Sequence, residues 1–158
     1  MGDIQHSREL VLNIQLKGTD SFTQIKIEKG TNNMSTQSEM KAVMQKYLDA
    51  FNAQDADAVL ALYAENATVE DPVGSPPLQG KEAIGAFYQK VIPMGSKLKL
   101  AAPIRGSHSN SAAMAFVVES AMDGHTVNIN VIDVMTFDES GKITSMRAYW
   151  GKEDCNIL

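Results

Sequence analysis

An ionisable carboxyl group lies in the middle of an otherwise almost wholly apolar segment, residues 131–137, which read Val-Ile-Asp-Val-Met-Thr-Phe. Side chains alternate between the faces of a β-strand, so Asp133 shares a face with Met135 while Ile132 and Val134 point to the other face, and we expect both faces to be buried. Burial penalises a carboxylate, and the usual result is a raised pKa that keeps the group protonated. A protonated carboxyl can donate a hydrogen bond. The segment therefore predicts a buried strand that holds a proton donor.

The bulk properties limit the classes of partner. A chain of 158 residues that is 44% hydrophobic can bury one core and is too short for two ordinary domains. The net charge of −5, without a basic cluster, gives a nucleic acid little to bind. The single cysteine, Cys155, rules out an intrachain disulfide and is typical of a reducing compartment. Since neither a secretory signal nor an apolar run of about 20 residues is present, we expect a cytoplasmic protein with no nucleic-acid or membrane partner.

Residues 1–33 differ in pattern from the rest. Alternating apolar residues around positions 10–16 and 25–27 resemble a small β-ribbon, which alone is marginal in water. A Gly-Thr-Asn-Asn stretch then precedes Met34, which has the context of a natural start. We expect residues 1–33 to be an N-terminal extension or vector-derived leader outside the chemistry, and residues 34–158 to form the functional domain. The alternative is a genuine edge extension or oligomer-forming arm.

Three helices are predicted next. Apolar residues at spacings of three and four indicate a helix that begins near Ser35, with Ser35 or Ser38 as its cap. Asp55 is placed to cap a second, short helix that carries Tyr63 on its apolar side. A third helix is predicted from about residue 81 to residue 91.

The remainder of the chain favours β-structure. A brief strand is predicted at residues 67–70, and longer ones at 97–104, 112–120, 125–137 and 142–151, with Asp123-Gly124 as a two-residue hairpin turn. Helices followed by consecutive antiparallel strands indicate an α+β fold, with the helices packed on one face of a curved sheet. The order of the strands does not follow from the pattern.

Two carboxyl groups are candidates for acid–base chemistry. Asp71 follows a strand and precedes Pro72, so its side chain is expected at the rim of the sheet, half dehydrated but reachable. Such a carboxylate suits a general base, whereas the deeper Asp133 suits a donor that keeps its proton. Each residue also has a structural interpretation. Asp71 is equally typical of a turn before proline, and Asp133 of a buried carboxyl satisfied by the backbone or by an ion pair.

Tyrosines and bulky apolar residues surround these carboxyls in the predicted fold. Tyr47, Tyr63 and Tyr88 each lie on the apolar side of a helix, where a buried hydroxyl needs a partner, and their hydroxyls could form a chain that strengthens a terminal donor. A set of residues on neighbouring strands could line a flat hydrophobic site or belong to an ordinary core: Met114, Phe116, Met135 and Trp150.

Other chemistries have little support in the sequence. No histidine pair has metal-ligand spacing, so no metal site is expected. Glycine-rich phosphate motifs and nucleophile elbows are also missing. Proton transfer without a cofactor is what remains.

Five segments together resemble a known family. They are Tyr47-Leu48-Asp49, residues 63–72 with Asp71-Pro72 at their end, residues 80–88 ending in Phe87-Tyr88, residues 131–135 around Asp133, and Arg147-Ala148-Tyr149-Trp150. In order and spacing they resemble steroid Δ5-isomerase, the bacterial ketosteroid isomerase, within the wider nuclear transport factor 2-like and polyketide cyclase-like superfamily. The resemblance covers residues 34 to about 152.

The resemblance implies a cone-shaped α+β barrel, in which three helices pack on the concave face of a curved, mostly antiparallel sheet, and a homodimer formed through the sheet. It implies isomerisation of 3-oxo-Δ5-steroids to 3-oxo-Δ4-steroids by proton transfer through a dienolate, with Asp71 as the base and with Tyr47 and protonated Asp133 as the oxyanion-hole pair. This family is itself the standard example of a carboxylic acid kept neutral by an apolar site.

The remaining site residues follow from the same resemblance. Tyr63 and Tyr88 match the tyrosines that support Tyr47, and Phe116 and Trp150 match walls of the substrate pocket. Met114 and Val73 are the other residues that we expect to bind the substrate. Two features depart from the family: Val73 stands where an aromatic residue is common, and residues 1–33 have no counterpart. The alternative functions are a non-catalytic binder of steroids or similar hydrophobic ligands, and a polyketide cyclase or lyase on the same fold.

Overall fold

The computed structural model of the protein describes residues 35–122 and 124–158. The ribbon predicted within residues 1–33 and the turn residue Asp123 lie outside the described residues. The helices and strands are α1 (Gln37–Asn52), α2 (Ala56–Leu60), β1 (Tyr63–Glu70), β2 (Leu78–Gln79), α3 (Gly80–Val91), β3 (Lys97–Leu100), β4 (Arg105–Gly106), β5 (Ser111–Met122), β6 (His125–Phe137), β7 (Ile143–Tyr149) and β8 (Cys155–Ile157), with 3₁₀ turns at Ile92–Met94 and Lys152–Asp154.

The sheet is mixed and open. Its strand order is β2-β1-β7-β6-β5-β3, with β4 also paired to β5 and β8 to β6. Among the strands of the described residues, only β1 and β7 pair in parallel, and the antiparallel ladder of β5 with β6 is the longest pairing. That ladder extends to Met122 opposite His125, the two residues that flank the predicted Asp123-Gly124 turn. The α+β prediction, with three helices on a curved and largely antiparallel sheet, is confirmed as well.

The helix α1 begins at a capping box. The Thr36 hydroxyl accepts from the Glu39 backbone N–H at 3.2 Å, and the Glu39 carboxylate accepts from the Thr36 N–H at 2.6 Å. The prediction of Ser35 or Ser38 as the cap is therefore wrong, because the reciprocal pair requires a glutamate three residues after the hydroxyl. Ser35 instead donates its hydroxyl hydrogen to the Asp138 carbonyl.

Tyr63 starts a strand rather than lying on a helix. Helix α2 is capped by Asp55 as predicted but ends at Leu60, and Tyr63 is the first residue of β1, opposite Ile143 of β7. The predicted short strand at 67–70 therefore begins four residues earlier. Tyr63 remains fully buried, so the prediction that its ring lies in the core is confirmed although its element was wrong.

The two faces of β6 differ, contrary to the expectation of burial on both. Asp133 is only 2% exposed and Met135 is fully buried, but Ile132 is 50% exposed and Val134 is half-buried. The described helices pack on the inner face, where their buried residues join the strands in one cluster. Over residues 35–122 and 124–158 no second layer covers the outer face, so its apolar residues face outward.

Other strand limits also moved. The predicted strand 97–104 ends at Leu100, since Pro103 cannot donate to a ladder, and the chain resumes pairing only at β4. The two- and three-residue strands β2 and β8 were not predicted, because segments this short carry no alternation.

Candidate active site

An apolar cavity of about 180 Å³ lies between the helices and the inner face of the sheet. The polar side chains along its wall are those of Tyr47, Asp71, Tyr88, Ser96, Asp133 and Trp150. Phe51, Phe87, Val91, Leu98, Phe116, Val118, Ile129, Val131, Met146 and Ala148 supply the apolar wall. Met94 also lines the cavity and is 66% exposed, which places it at the mouth. A few polar groups converge in an apolar cleft, which is the usual form of a small-molecule site.

Three tyrosine hydroxyls form a chain that leads to the cavity. The Tyr88 hydroxyl donates to the Tyr47 oxygen at 3.2 Å, and the Tyr63 and Tyr88 oxygens are 2.7 Å apart. Since the single proton of Tyr88 goes to Tyr47, Tyr63 donates to Tyr88. The proton of Tyr47 is then left for a further acceptor. Burial raises the pKa of all three hydroxyls, so each keeps its proton.

Asp133 lines the same cavity as Tyr47. Its Oδ1 atom is buried and has no hydrogen-bond partner among the described residues. Burial raises the pKa of Asp133 well above its ordinary value, and the nearby charge of Asp71 raises it further. A buried polar atom without a partner is unfavourable, and a bound oxygen that accepts from the protonated carboxyl would satisfy it.

Asp71 lies directly after β1, and its carboxylate is held by Trp150, which lies directly after β7. The Trp150 indole N–H donates to the Asp71 Oδ1 at 2.7 Å. Burial raises the pKa of Asp71 and this hydrogen bond opposes the rise, because it stabilises the charged form. Asp71 is half-buried, so its carboxylate can contact a ligand in the cavity while it remains hydrated in part.

The predicted wall residues lie in different places. Phe116 and Trp150 line the cavity. Val73 lines a separate groove of about 550 Å³ that it shares with Phe116, Ile132 and Trp150. Met114 pairs with Asp133 across the β5–β6 ladder and is buried, but it is not among the residues that line either space.

Within residues 35–122 and 124–158, no three His, Cys, Asp or Glu side chains are grouped closely enough to hold a metal ion. In the same ranges no helix is both long and apolar enough to cross a membrane.

A family model described as the SnoaL-like domain matches residues 44–146, the part of the chain that carries Tyr47, Asp71 and Asp133. The chain belongs to the SnoaL-like family. One curated relative is the steroid Δ-isomerase of Nocardioides simplex, 40% identical over 116 residues, which are 73% of this chain and 93% of that protein.

Two further relatives have different names. The epoxide hydrolase LasB of Streptomyces lasalocidi is 26% identical over 141 residues, which cover 75% of this chain and 49% of LasB. Among solved structures, SalBIII, described as an epoxide hydrolase/cyclase-like enzyme with a role in pyran ring formation in the polyether salinomycin, has a TM-score of 0.71 and is 29% identical. That match covers 77% of this chain and 97% of SalBIII.

Sequence reasoning missed two features of this SnoaL-like site. It gave Trp150 only as a wall, whereas the indole also donates to Asp71, and a half-buried indole near a rim carboxylate is a signal that could have been used. It also missed Ser96, for which the sequence offers no signal. Together the groups of the site can remove a proton from a ligand with Asp71 and stabilise a developing oxyanion with Tyr47 and Asp133.

Proposed function

We propose that the protein isomerises 3-oxo-Δ5-steroids to 3-oxo-Δ4-steroids by intramolecular proton transfer, without a cofactor. The observation that carries the proposal is Asp133, a buried carboxyl in an apolar cavity whose Oδ1 lacks a partner in the described part of the chain, beside Tyr47 and within reach of the charge of Asp71. The 40% identity to a steroid Δ-isomerase supports the same reaction.

In the proposed reaction Asp71 acts as the general base. Its carboxylate takes a proton from carbon 4, between the 3-oxo group and the double bond, and the electron pair of that C–H bond passes into a dienolate. The carboxylic acid then returns the proton to carbon 6, which leaves the double bond conjugated with the ketone. A half-buried carboxylate at the end of a strand suits this role, since it must serve two carbons. The raised pKa of Asp71 makes it a stronger base than an ordinary aspartate.

Tyr47 and Asp133 would form the oxyanion hole. Both are buried, both keep their protons because burial raises their pKa values, and both line the cavity. A proton next to a ketone is only weakly acidic, so the base depends on donors at the developing oxyanion; one such donor is worth about 2.7–4 kcal/mol in other enzymes. Tyr63 and Tyr88 would support Tyr47 by donating along the chain of hydroxyls.

Turnover of a 3-oxo-Δ5-steroid, followed by the ultraviolet absorbance of the conjugated enone, tests the proposal directly. We expect activity in the wild type and a loss of about 10²–10⁴-fold in Asp71→Asn, because an amide cannot accept the proton. The exposed Asp57 offers a matched control: Asp57→Asn changes one charge elsewhere and should leave the rate unchanged. Full activity in folded Asp71→Asn, or no turnover by the folded wild type, would contradict the isomerase. Steroid binding without turnover would instead indicate a non-catalytic binder.

A second candidate, favoured by the likeness to LasB and SalBIII, is epoxide hydrolysis or ring closure of a polyether or polyketide precursor. In that chemistry an acid must protonate the epoxide oxygen, and Asp133 would serve. Incubation of the protein with an epoxide-bearing polyketide and with the steroid in parallel distinguishes the two candidates by which substrate is consumed.

We also propose that the protein is a homodimer formed through the outer face of its sheet. Ile132 and Tyr149 are opposite one another in the β6–β7 ladder and are 50% and 42% exposed, which is unusual for large apolar side chains on a sheet. Light scattering with and without residues 1–33 tests the assembly and the contribution of the extension. Ile132→Lys should shift the mass toward the monomer, whereas Ile157→Lys, a similar change at the exposed chain end, should not. The cytoplasmic location stays a prediction.

A further inference from the structure

One polar group in the wall of the cavity has no part in the proposed chemistry. Six polar side chains line it among the described residues. Tyr47, Tyr88 and Asp133 are the donors, Asp71 and Trp150 are the base and its indole partner, and the sixth is Ser96. The Ser96 hydroxyl donates to the Ser120 hydroxyl oxygen at 3.0 Å, and both residues are half-buried. The Ser120 hydroxyl itself donates to no other described residue. The pair therefore keeps hydrogen-bonding capacity at the cavity wall.

The serine pair lies far from the oxyanion donors. In the β5–β6 ladder Asp133 is opposite Met114, and Ser120 is six residues further along β5. At about 3.3 Å per residue, this is a distance of about 20 Å along the strand. Phe116 and Val118, which point to the same side as Ser120, form an apolar wall in between. Polar groups at two ends and an apolar wall in between fit a long ligand with an oxygen at each end.

The length of the site decides where the second oxygen must be. Four fused rings built from bonds of about 1.5 Å are about 10 Å long, roughly half of the span along the strand. The enclosed volume of about 180 Å³ is also below the roughly 300 Å³ at which pockets begin to enclose drug-sized ligands. The far end of the ring system would therefore lie toward the mouth but short of Ser96, and only a substituent that extends beyond the rings would bring an oxygen to Ser96.

The charge of the cavity decides the kind of oxygen. No Lys, Arg or His is among its lining residues in the described ranges, so a carboxylate at the far end would lose water without gaining a countercharge. A hydroxyl or a ketone meets no such penalty, because the two serine hydroxyls can rotate to accept from the first or donate to the second.

On this basis, which rests on the proposed function, we propose that Ser96, positioned by Ser120, is a specificity residue that selects 3-oxo-Δ5-steroids whose five-membered ring carries a side chain with an uncharged oxygen. The contact is remote from the reacting carbons and is the same in the ground state and the transition state. It therefore acts on KM and not on kcat.

The test compares two 3-oxo-Δ5-steroids, one with a methyl-ketone side chain on the five-membered ring and one with an ethyl group there, which has the same two carbons but lacks the oxygen. For the wild type we expect a lower KM with the ketone. Ser96→Ala and Ser120→Ala should each lower kcat/KM for the ketone by about three- to tenfold, the usual value of one hydrogen bond, and leave the ethyl compound unchanged. Ser111→Ala is the matched control, because Ser111 is on the same strand as Ser120 and its hydroxyl forms a similar pair with that of Ser107 at 3.2 Å, but neither residue lines either cavity.

Calorimetric binding of the corresponding 3-oxo-Δ4-steroids separates this proposal from the isomerase itself, since it requires no turnover. A loss of affinity in Ser96→Ala that is confined to the ketone supports the serine contact whether or not the protein is an isomerase. Equal affinities of the wild type for the two steroids, equal losses for both in the variants, or no steroid binding at all would overturn it.

Discussion

The end of β1 and the middle of β6 each hold an aspartate, and the two positions place the same carboxyl group in different environments. Asp71 lies at the rim, is half-buried and receives the Trp150 N–H, which stabilises its charged form. Asp133 is 2% exposed, and its Oδ1 has no partner among the described residues. Burial raises both pKa values, but only at the rim does a hydrogen bond oppose the rise. In the proposed reaction, the position along the sheet, not the residue type, decides which aspartate acts as the base and which as the donor.

The largest effect is expected when the proton of Asp133 is removed. Asp133→Leu should lower kcat by about 10²–10³-fold, the usual effect of losing one oxyanion donor. Asp133→Asn keeps an N–H donor of similar size and should retain most of the activity. Both are measured as turnover of a 3-oxo-Δ5-steroid, with circular dichroism as the check on folding. Equal losses in the two variants would show that the proton of Asp133 is not what the site uses.

Sequence reasoning succeeded where a local pattern decides the outcome. The alternation over residues 131–137 gave the strand and the inward direction of Asp133, and both are observed. The expectation that the outer face is buried was wrong, because the sequence pattern at Ile132 is the same whether or not a second layer covers that face. Tyr63 was assigned to a helix for a similar reason: after a helix of only five residues, the pattern does not show where the helix ends.

Trp150→Phe tests the environment of Asp71 at the rim of the sheet. The acid limb of the pH profile of kcat/KM reports the pKa of the general base in the free enzyme. The proposed reaction requires a charged Asp71, so activity falls as the pH drops through that pKa. Burial has already moved this limb above the ordinary aspartate value of about 3.9. Loss of the indole N–H removes the interaction that opposes the rise, so the limb should move to higher pH.

The control for this experiment is the alkaline limb. It reports loss of a proton from the donors at Asp133 and Tyr47, which Trp150 does not contact through any hydrogen bond between described residues. The alkaline limb should therefore stay in place. An acid limb that moves down, or two limbs that move together, would show that Trp150 does not act on Asp71 alone.

Tyr88→Phe tests the buried donors, and its expected effect is smaller. The variant removes the donor to Tyr47 but leaves the Tyr47 proton in place, so we expect kcat to fall by about three- to tenfold with the acid limb unchanged. Tyr63→Phe is the graded control, since Tyr63 is one hydroxyl further from the cavity and should have less effect. A larger loss in Tyr63→Phe than in Tyr88→Phe would contradict the direction of the chain.

The parts of the site that the sequence did not predict depend on contacts between distant segments. Asp71 and Trp150 meet because β1 pairs in parallel with β7, and strand order could not be derived from the pattern. Ser96 reaches the cavity only because β3 pairs with β5 and so brings Ser96 opposite Ser120. A strand order can be inferred from a resemblance, but a hydrogen bond that is specific to this chain cannot.

The smallest effect concerns stability and tests the raised pKa of Asp133 most directly. The pKa of Asp133 is raised in the folded protein, so between the unfolded value of about 3.9 and the folded value the native state holds a proton that the unfolded state releases. The stability linked to this proton is fully present below that window and is lost as the pH rises through it. Asp133→Asn has no proton to lose, so its Tm should gain on the wild type as the pH is raised from 4 to 8, by about 4 °C for each 1 kcal/mol. Thermal melts of both proteins across this range measure the difference, with Asp57→Asn as the exposed control. A constant offset in Tm would show that Asp133 ionises in the folded protein as it does in water, and the contrast with Asp71 would then lose its physical basis.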